Sequence, residues 1–235
     1  MNIVITGASK GLGFAMAEKF AEDKQGHRLL LCSRTEEQLT ASSKVLQARF
    51  RRANIVSKAA DLGNKTEAMN FGKWILGFDE PVDILINNAG QFIPGSVHDE
   101  PDGALEKMIE VNLYSAYHLT RTLLPSMMKV KRGHIFNICS IASLTAYNNG
   151  GAYSISKFAM NGFTKNLREE MKPYNIKVTG VYPGAAMTDS WKSSGVSANR
   201  IMEASDIAEM IYSAAHLSQK ACVEDIILRP QLGDL

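Results

Sequence analysis

The sequence predicts an α/β protein: one domain built on a doubly wound parallel sheet of about seven strands, with helices on both faces. Two observations lead there. Short β-rich apolar runs alternate with longer segments of helical period, an alternation that argues a parallel sheet with helices on both faces. No linker, repeat or low-complexity tract divides the 235 residues, a length that one large α/β domain accommodates.

The predicted strands, in order, are NIVIT (2–6), RLLLC (28–32), NIVSKA (54–59), DILIN (83–87), HIFNI (134–138), KVTGVY (177–182) and DIILR (225–229). Between them the helical period covers 12–24, 35–50, 64–77, 103–130, 152–172 and 205–217. Right-handed crossovers then place helices on both sides of the sheet. End signals support the boundaries: Thr35 before Glu36 and Glu37, Asp206 and Glu209 in the first turn of the last helix, and Gly133 after the basic residues Lys129, Lys131 and Arg132. The Ser/Gly-containing piece from Thr188 to Ala204 is expected to be a substrate loop beside a site.

Composition narrows the function. Twenty-six basic residues against 24 acidic give a formal charge of +2, which implies no polyanionic partner. The basic clusters Arg49–Arg52 and Lys129–Arg132 fall at helix C-termini, where cations complement the dipole, so nucleic acid is not expected. Cys32, Cys139 and Cys222 are odd in number and widely spaced, and the five histidines show no metal-ligand spacing; neither a disulfide framework nor a metal site is expected. Glu36-Glu37, Asp99-Glu100 and Glu169-Glu170 read as solvated pairs. An apolar strand begins directly after Met1, and no run reaches the roughly 18 apolar residues of a membrane span, so a cytoplasmic protein is expected.

The stretch TGASKGLG (6–13) satisfies two patterns. As Gly7-x-Ser9-x-Gly11 it matches a hydrolase nucleophile elbow, but that site needs an oxyanion loop from an earlier strand, and only five residues precede Thr6. His216 and Asp206 lie in one predicted helix with nothing to bring them to Ser9. As Gly7-x-x-x-Gly11-x-Gly13 it is a glycine turn between a strand and a helix, the arrangement that lets backbone approach a pyrophosphate at a helix N-terminus.

With NNAG (87–90), Tyr153-Ser-Ile-Ser-Lys157 and Pro183-Gly184, this turn resembles the short-chain dehydrogenase/reductase family over nearly the whole chain, from Ile3 to about Arg229. The resemblance implies a Rossmann-type domain and the following roles. Tyr153 and Lys157, four apart on one helix face, would be the catalytic pair, the ammonium lowering the phenol pKa and holding the nicotinamide ribose. Ser140 would hydrogen-bond the substrate oxygen, and Asn112 in EVNLY would kink its helix and position a water for proton relay. Cys139 stands where a second serine is common and reads as a small buried residue at a strand end.

The dinucleotide would be held by Gly7, Ser9, Lys10, Gly11, Leu12 and Gly13, by Asp61 and Leu62 near the adenine, by Asn88, Ala89 and Gly90, and by Pro183, Gly184 and Thr188. Ser33 and Arg34 occupy the end of the second strand, where an acid would serve NAD; with Lys10 they favour the 2′-phosphate of NADP(H). The implied activity is NADP(H)-dependent interconversion of a ketone or aldehyde and its alcohol. Gln91, Phe92, Ile141, Tyr147, Met187 and Trp191 would form a mostly apolar substrate pocket. A β-ketoacyl thioester reductase is the alternative, although the ending ILRPQLGDL lacks the Asp-Gly-Gly common in those tails. A dinucleotide-sensing scaffold is the rival of another class, opposed by the intact Ser140, Tyr153 and Lys157. The long helices 103–130 and 152–172 suggest a homodimer or homotetramer.

Overall fold

The computed structural model describes residues 1–23, 25–187 and 195–234. In chain order the main elements are β1 (Asn2–Thr6), α1 (Gly11–Glu22), β2 (Arg28–Ser33), α2 (Glu36–Arg49), β3 (Asn54–Ala59), α3 (Lys65–Leu76) and β4 (Ile84–Asn87). Then come α4 (Ala104–Ile109), α5 (Ser115–Val130), β5 (Gly133–Ile138), α6 (Gly151–Met171), β6 (Ile176–Pro183), α7 (Ala204–Ala215) and β7 (Asp225–Leu228). The sheet is parallel throughout, in the order β3-β2-β1-β4-β5-β6-β7. The chain starts in the middle, winds out to β3, returns past β1 and winds out to β7. The change of direction between β1 and β4 leaves a crevice at the strands' C-terminal ends.

Two apolar layers hold the helices on. On one face Ile3, Ile5, Leu29, Leu31 and Ile86 pack with Met16, Phe20, Leu39, Leu46, Ile207 and Ile211 of α1, α2 and α7. On the other, Val4, Leu30, Leu85 and Ile135 pack with Phe71, Ile75, Leu119, Leu123 and Leu167 of α3, α5 and α6. Alternate residues of each central strand thus serve opposite layers, which explains why β1 and β4 have no exposed position.

Three local expectations are corrected. The helix expected over 103–130 is interrupted: α4 gives way to a π turn at Glu110–Tyr114 before α5 begins. A single π turn inserts a residue without ending the apolar period, so the pattern alone runs through it. Gly133 does not terminate α5; Lys131 takes the left-handed C-cap at φ 50°, and Gly133 opens β5 with φ 155°. Thr35 precedes α2 without a side-chain cap, whereas Asn64 caps α3 by accepting from Thr66 N (2.9 Å) and Glu67 N (3.1 Å).

Candidate active site

The crevice is a cleft of about 850 Å³ open to solvent. Its floor is the β1–α1 turn. Gly7 has φ 64°, and a Cβ there would lie 2.8 Å from Asn88 Nδ2 and 3.2 Å from the Ala89 Cα, so only glycine fits the approach of the two turns. Thr6 fixes that approach: its Oγ1 accepts from Asn88 N and Ala89 N, both at 2.9 Å, while Asn88 Nδ2 donates to Thr6 O at 2.8 Å. Gly7, Ser9, Lys10, Gly11 and Leu12 line the cleft. Gly13 does not; a Cβ at Gly13 would stand 2.1 Å from Gly7 O, so this glycine serves close packing of α1 on the turn.

Along the rim stand Ser33 and Arg34 at the end of β2, then Asp61 and Leu62 after β3. Asp61 Oδ1 accepts from Gly63 N at 3.0 Å and its own N–H donates to Glu67 Oε2 at 2.7 Å, which orients the loop. Asn88, Ala89 and Gly90 border the middle of the cleft, and Pro183 and Gly184 its far end. The adjoining Asn87 points away into the core, donating to Thr120 Oγ1 and Asn137 Oδ1.

Ser140, Tyr153 and Lys157 come together at the wall formed by β5 and α6. Ser140 N-caps the short 3-10 turn Ile141–Ser143: its Oγ accepts from Ala142 N at 3.1 Å, and its own N–H donates to Ser143 Oγ at 3.1 Å. Lys157 is buried, donates from Nζ to Ile138 O at 2.9 Å and lies 5.8 Å from the Tyr153 ring centroid. Burial raises the Tyr153 pKa, against which an interaction with Ser140 lowers it; burial also lowers that of Lys157. The expected net lowering of the Tyr153 pKa does not hold in this chain: burial outweighs the hydrogen bond with Ser140, while Lys157 donates to the Ile138 carbonyl. Cys139 is buried, with its thiol pKa raised by burial, as suits an inert strand-end residue.

Asn112 does not line the cleft but stands behind it, in the π turn. Its Oδ1 accepts from Gln91 N at 2.7 Å, and its Nδ2 donates to Gln91 O at 3.0 Å and Ser156 Oγ at 2.9 Å. Ser156 in turn donates to Tyr153 O at 2.7 Å. The turn at Gly90 is thus tied to the helix that carries Tyr153. A Cβ at Gly90 would lie 3.2 Å from Asn112 Oδ1 and 3.7 Å from Lys157 Nζ.

Of the expected substrate-pocket residues, Gln91, Phe92, Ile141 and Tyr147 line the cleft. Phe92 meets Tyr153 edge-on at 4.8 Å between centroids, and Tyr147, its pKa pushed up to about 12 mainly by burial, stands near the same phenol. Met187 does not line it; its backbone bonds to Met202 across a bridge formed by Ala186 and Met202. Thr188, Trp191 and the 188–194 part of the expected loop lie outside the described residues. Sequence reasoning missed Glu100, whose Oε2 accepts from Ala152 N at 3.0 Å in the first turn of α6; the pair Asp99-Glu100 is thus not simply solvated. It also missed Arg229 and Asp234, an ion pair on the cleft wall beside Gly184. Only Thr6, directly before the glycine turn, carried a signal.

A parallel doubly wound sheet whose switch-point cleft holds a glycine turn and a Ser/Tyr/Lys group defines a class of nucleotide-dependent enzymes. The short chain dehydrogenase family model matches residues 1–198, and the chain belongs to this family of oxidoreductases. It is 32% identical to a sepiapterin reductase of Chlorobaculum tepidum, over 99% of this chain and 97% of that one. A metagenomic short-chain oxidoreductase solved in complex with NADP superposes with a TM-score of 0.83 at 30% identity, covering 98% of this chain and 97% of the other. An actinorhodin polyketide ketoreductase variant solved with NADPH gives 0.88 at 25% identity, over 100% and 97%.

Proposed function

We propose that the chain is an NADP(H)-dependent reductase of ketones and aldehydes, reversible toward the secondary or primary alcohol, with Tyr153 as its acid. The observation that carries this reading is the convergence of Ser140, Tyr153 and Lys157 on one wall of a cleft whose floor only glycine can form. The residues fit a dinucleotide: the Gly7 turn supports a pyrophosphate, Asp61 an adenine, and Lys10 and Arg34 the 2′-phosphate that distinguishes NADP(H). The NADP and NADPH complexes of the two related structures support the same choice.

When bound, the nicotinamide supplies or accepts the hydride. The protein's part is to hold and protonate. Ser140 Oγ offers a hydrogen bond to the carbonyl oxygen, polarising it, and Tyr153 gives that oxygen its proton. Burial that raises the Tyr153 pKa keeps the phenol protonated, the form that reduction consumes. Lys157, fixed by Ile138 O, would hold the nicotinamide ribose, and Asn112 keeps Gly90 and α6 in register through Gln91 and Ser156. Phe92, Ile141 and Tyr147 exclude water around the substrate.

A β-ketoacyl thioester is the second reading, favoured by the likeness to the polyketide ketoreductase and by the open mouth of the cleft. A homodimer or homotetramer is also proposed, since Leu105 on α4, Tyr114 in the π turn, and Ile155 and Phe158 on α6 leave large apolar side chains exposed. NADPH consumption across ketones, aldehydes and β-ketoacyl thioesters tests these readings: turnover of simple carbonyls supports the first, turnover restricted to thioesters the second, and none with any carbonyl contradicts both.

A further inference from the structure

We propose that Asp23, His27 and His216 form a binding site for one divalent metal ion of the zinc class, at the end of the sheet opposite the catalytic cleft. Asp23 ends α1, His27 directly precedes β2, and His216 caps the C-terminus of α7. The cleft begins at the other end of β2, ~20 Å along a six-residue strand. His27 and His216 come from opposite ends of the sequence, so no spacing could reveal the group, and the expectation of no metal site rested on spacing alone.

Their ligand atoms already converge. Asp23 Oδ2 is 3.1 Å from His27 Nε2 and 3.6 Å from His216 Nε2, and all three lie within 4.8 Å of one another. Zinc bonds of about 2.0–2.1 Å arranged tetrahedrally put neighbouring ligand atoms roughly 3.3 Å apart, so two of the three edges bracket the required length. The third edge closes by a small turn of His216, the most exposed of the three side chains at 29%.

The surrounding hydrogen bonds set the right donors. His216 Nδ1 lies 2.8 Å from Tyr212 O, and a carbonyl only accepts, so Nδ1 carries the hydrogen. With Nδ1 held by the carbonyl, Nε2 is the ring atom turned toward Asp23 Oδ2, 3.6 Å away, and is the one placed to ligate an ion there. A backbone carbonyl holding the far nitrogen of a histidine is the partner that metal-bound imidazoles take. Asp23 is oriented likewise: Tyr212 Oη donates to Oδ2 at 2.7 Å, and Gln25 N to Oδ1 at 2.9 Å. Coordination moves the His27 ring hydrogen from Nε2 to Nδ1, which breaks the 3.4 Å contact that Nδ1 makes with the Met1 ammonium, so the ammonium must turn away as the ion binds. Phe20, 5.3 Å from Tyr212 and 6.4 Å from His216 between ring centroids, supplies an apolar wall. Two imidazoles and one carboxylate suit zinc rather than magnesium or calcium. Such an ion would clip the C-terminal ends of α1 and α7 together.

The test is titration of the chelator-treated full chain with Zn2+, followed by calorimetry and thermal denaturation. One ion per chain is expected, with a Tm that rises with Zn2+ and not with Mg2+. His216→Gln should weaken binding at least tenfold, while Cys222→Ser, which removes the exposed thiol, should leave it unchanged. Absence of saturable one-to-one binding, an unchanged affinity in His216→Gln, or loss of binding in Cys222→Ser overturns the proposal. If His216→Gln does not fold, pulsed EPR of the unmodified chain loaded with Cu2+ decides: two coupled imidazole nitrogens are expected, and one or none refutes the site.

Discussion

Replacing Asn112 by alanine tests how the π turn supports the site. The amide is 1% exposed and makes three polar contacts of 2.7–3.0 Å, two with the Gln91 backbone and one with Ser156 Oγ. Truncation strands the Gln91 N–H, at about 1–3 kcal/mol for a buried unsatisfied donor, and removes two further bonds worth about 0.5–1.5 kcal/mol each. Water entering the vacated space offsets part of this, leaving a loss of about 2–4 kcal/mol. For a chain of this size that lowers Tm by roughly 4–16 °C. Because Gly90 and Tyr153 are joined through Asn112 and Ser156, activity should fall beyond the loss of folded protein, with KM for NADPH rising. Asn112→Asp keeps the acceptor for Gln91 N but sets a carboxylate against Gln91 O, so it should recover part of the stability at best. Differential scanning calorimetry with steady-state kinetics measures both. A Tm within about 2 °C of the parent for Asn112→Ala, under 1 kcal/mol, would refute the reasoning.

Other expectations follow from the same geometry. The unmodified protein should prefer NADPH over NADH by at least about tenfold in kcat/KM, 1.4 kcal/mol, and Arg34→Asp should erase that preference mainly through KM; equal efficiencies in the parent would contradict it. Gly13→Ala should cripple folding or coenzyme binding because its methyl meets Gly7 O at 2.1 Å; a fully stable variant with parental Kd would show the packing argument to be mistaken. His134 is buried with its pKa pushed down to about 3, chiefly by desolvation and then by Lys177. Its folded pKa lies below the unfolded ~6.5, so its stability contribution is complete above that value and is lost as pH falls toward 3, at up to about 1.4 kcal/mol per unit. Denaturant titrations between those limits should show a shallower pH slope in His134→Gln, and an identical slope would remove His134 as the cause. Light scattering should show a dimer or tetramer; a monomer at micromolar concentration would contradict the proposed assembly.

Much of this architecture was legible because the central strands are short apolar runs buried on both faces, the outer β3 and β7 being partly exposed. Ile3, Leu29 and Ile84, for example, meet in one register across β1, β2 and β4. The glycine turn and the Tyr153/Lys157 pair were legible too, since their chemistry depends on near neighbours in the chain. What escaped depends on long-range placement. The resemblance implied a kink at Asn112, but the π turn that makes it, Glu110–Tyr114, hides within an unbroken helical period. Glu100 reaches α6 across 52 residues, and Arg229 and Asp234 reach the cleft from the last strand and the tail. Gly13 was assigned to the cofactor because a motif records where glycines stand, not which of them faces the ligand and which faces its neighbour's carbonyl. The upward direction of the Tyr153 shift is invisible in the sequence because it comes from burial, which a one-dimensional pattern does not carry.

The central claim is that Tyr153 protonates the substrate oxygen, and Tyr153→Phe addresses it most directly. The ring and its edge-on contact with Phe92 remain, so the cleft is preserved while the proton is lost. Fluorescence titration with NADPH should give a Kd close to that of the parent. Turnover of a responsive carbonyl should fall by at least about a hundred- to ten-thousand-fold, the usual worth of general acid catalysis. Near-parental kcat in Tyr153→Phe, with NADPH binding intact, would show that Tyr153 is not the acid.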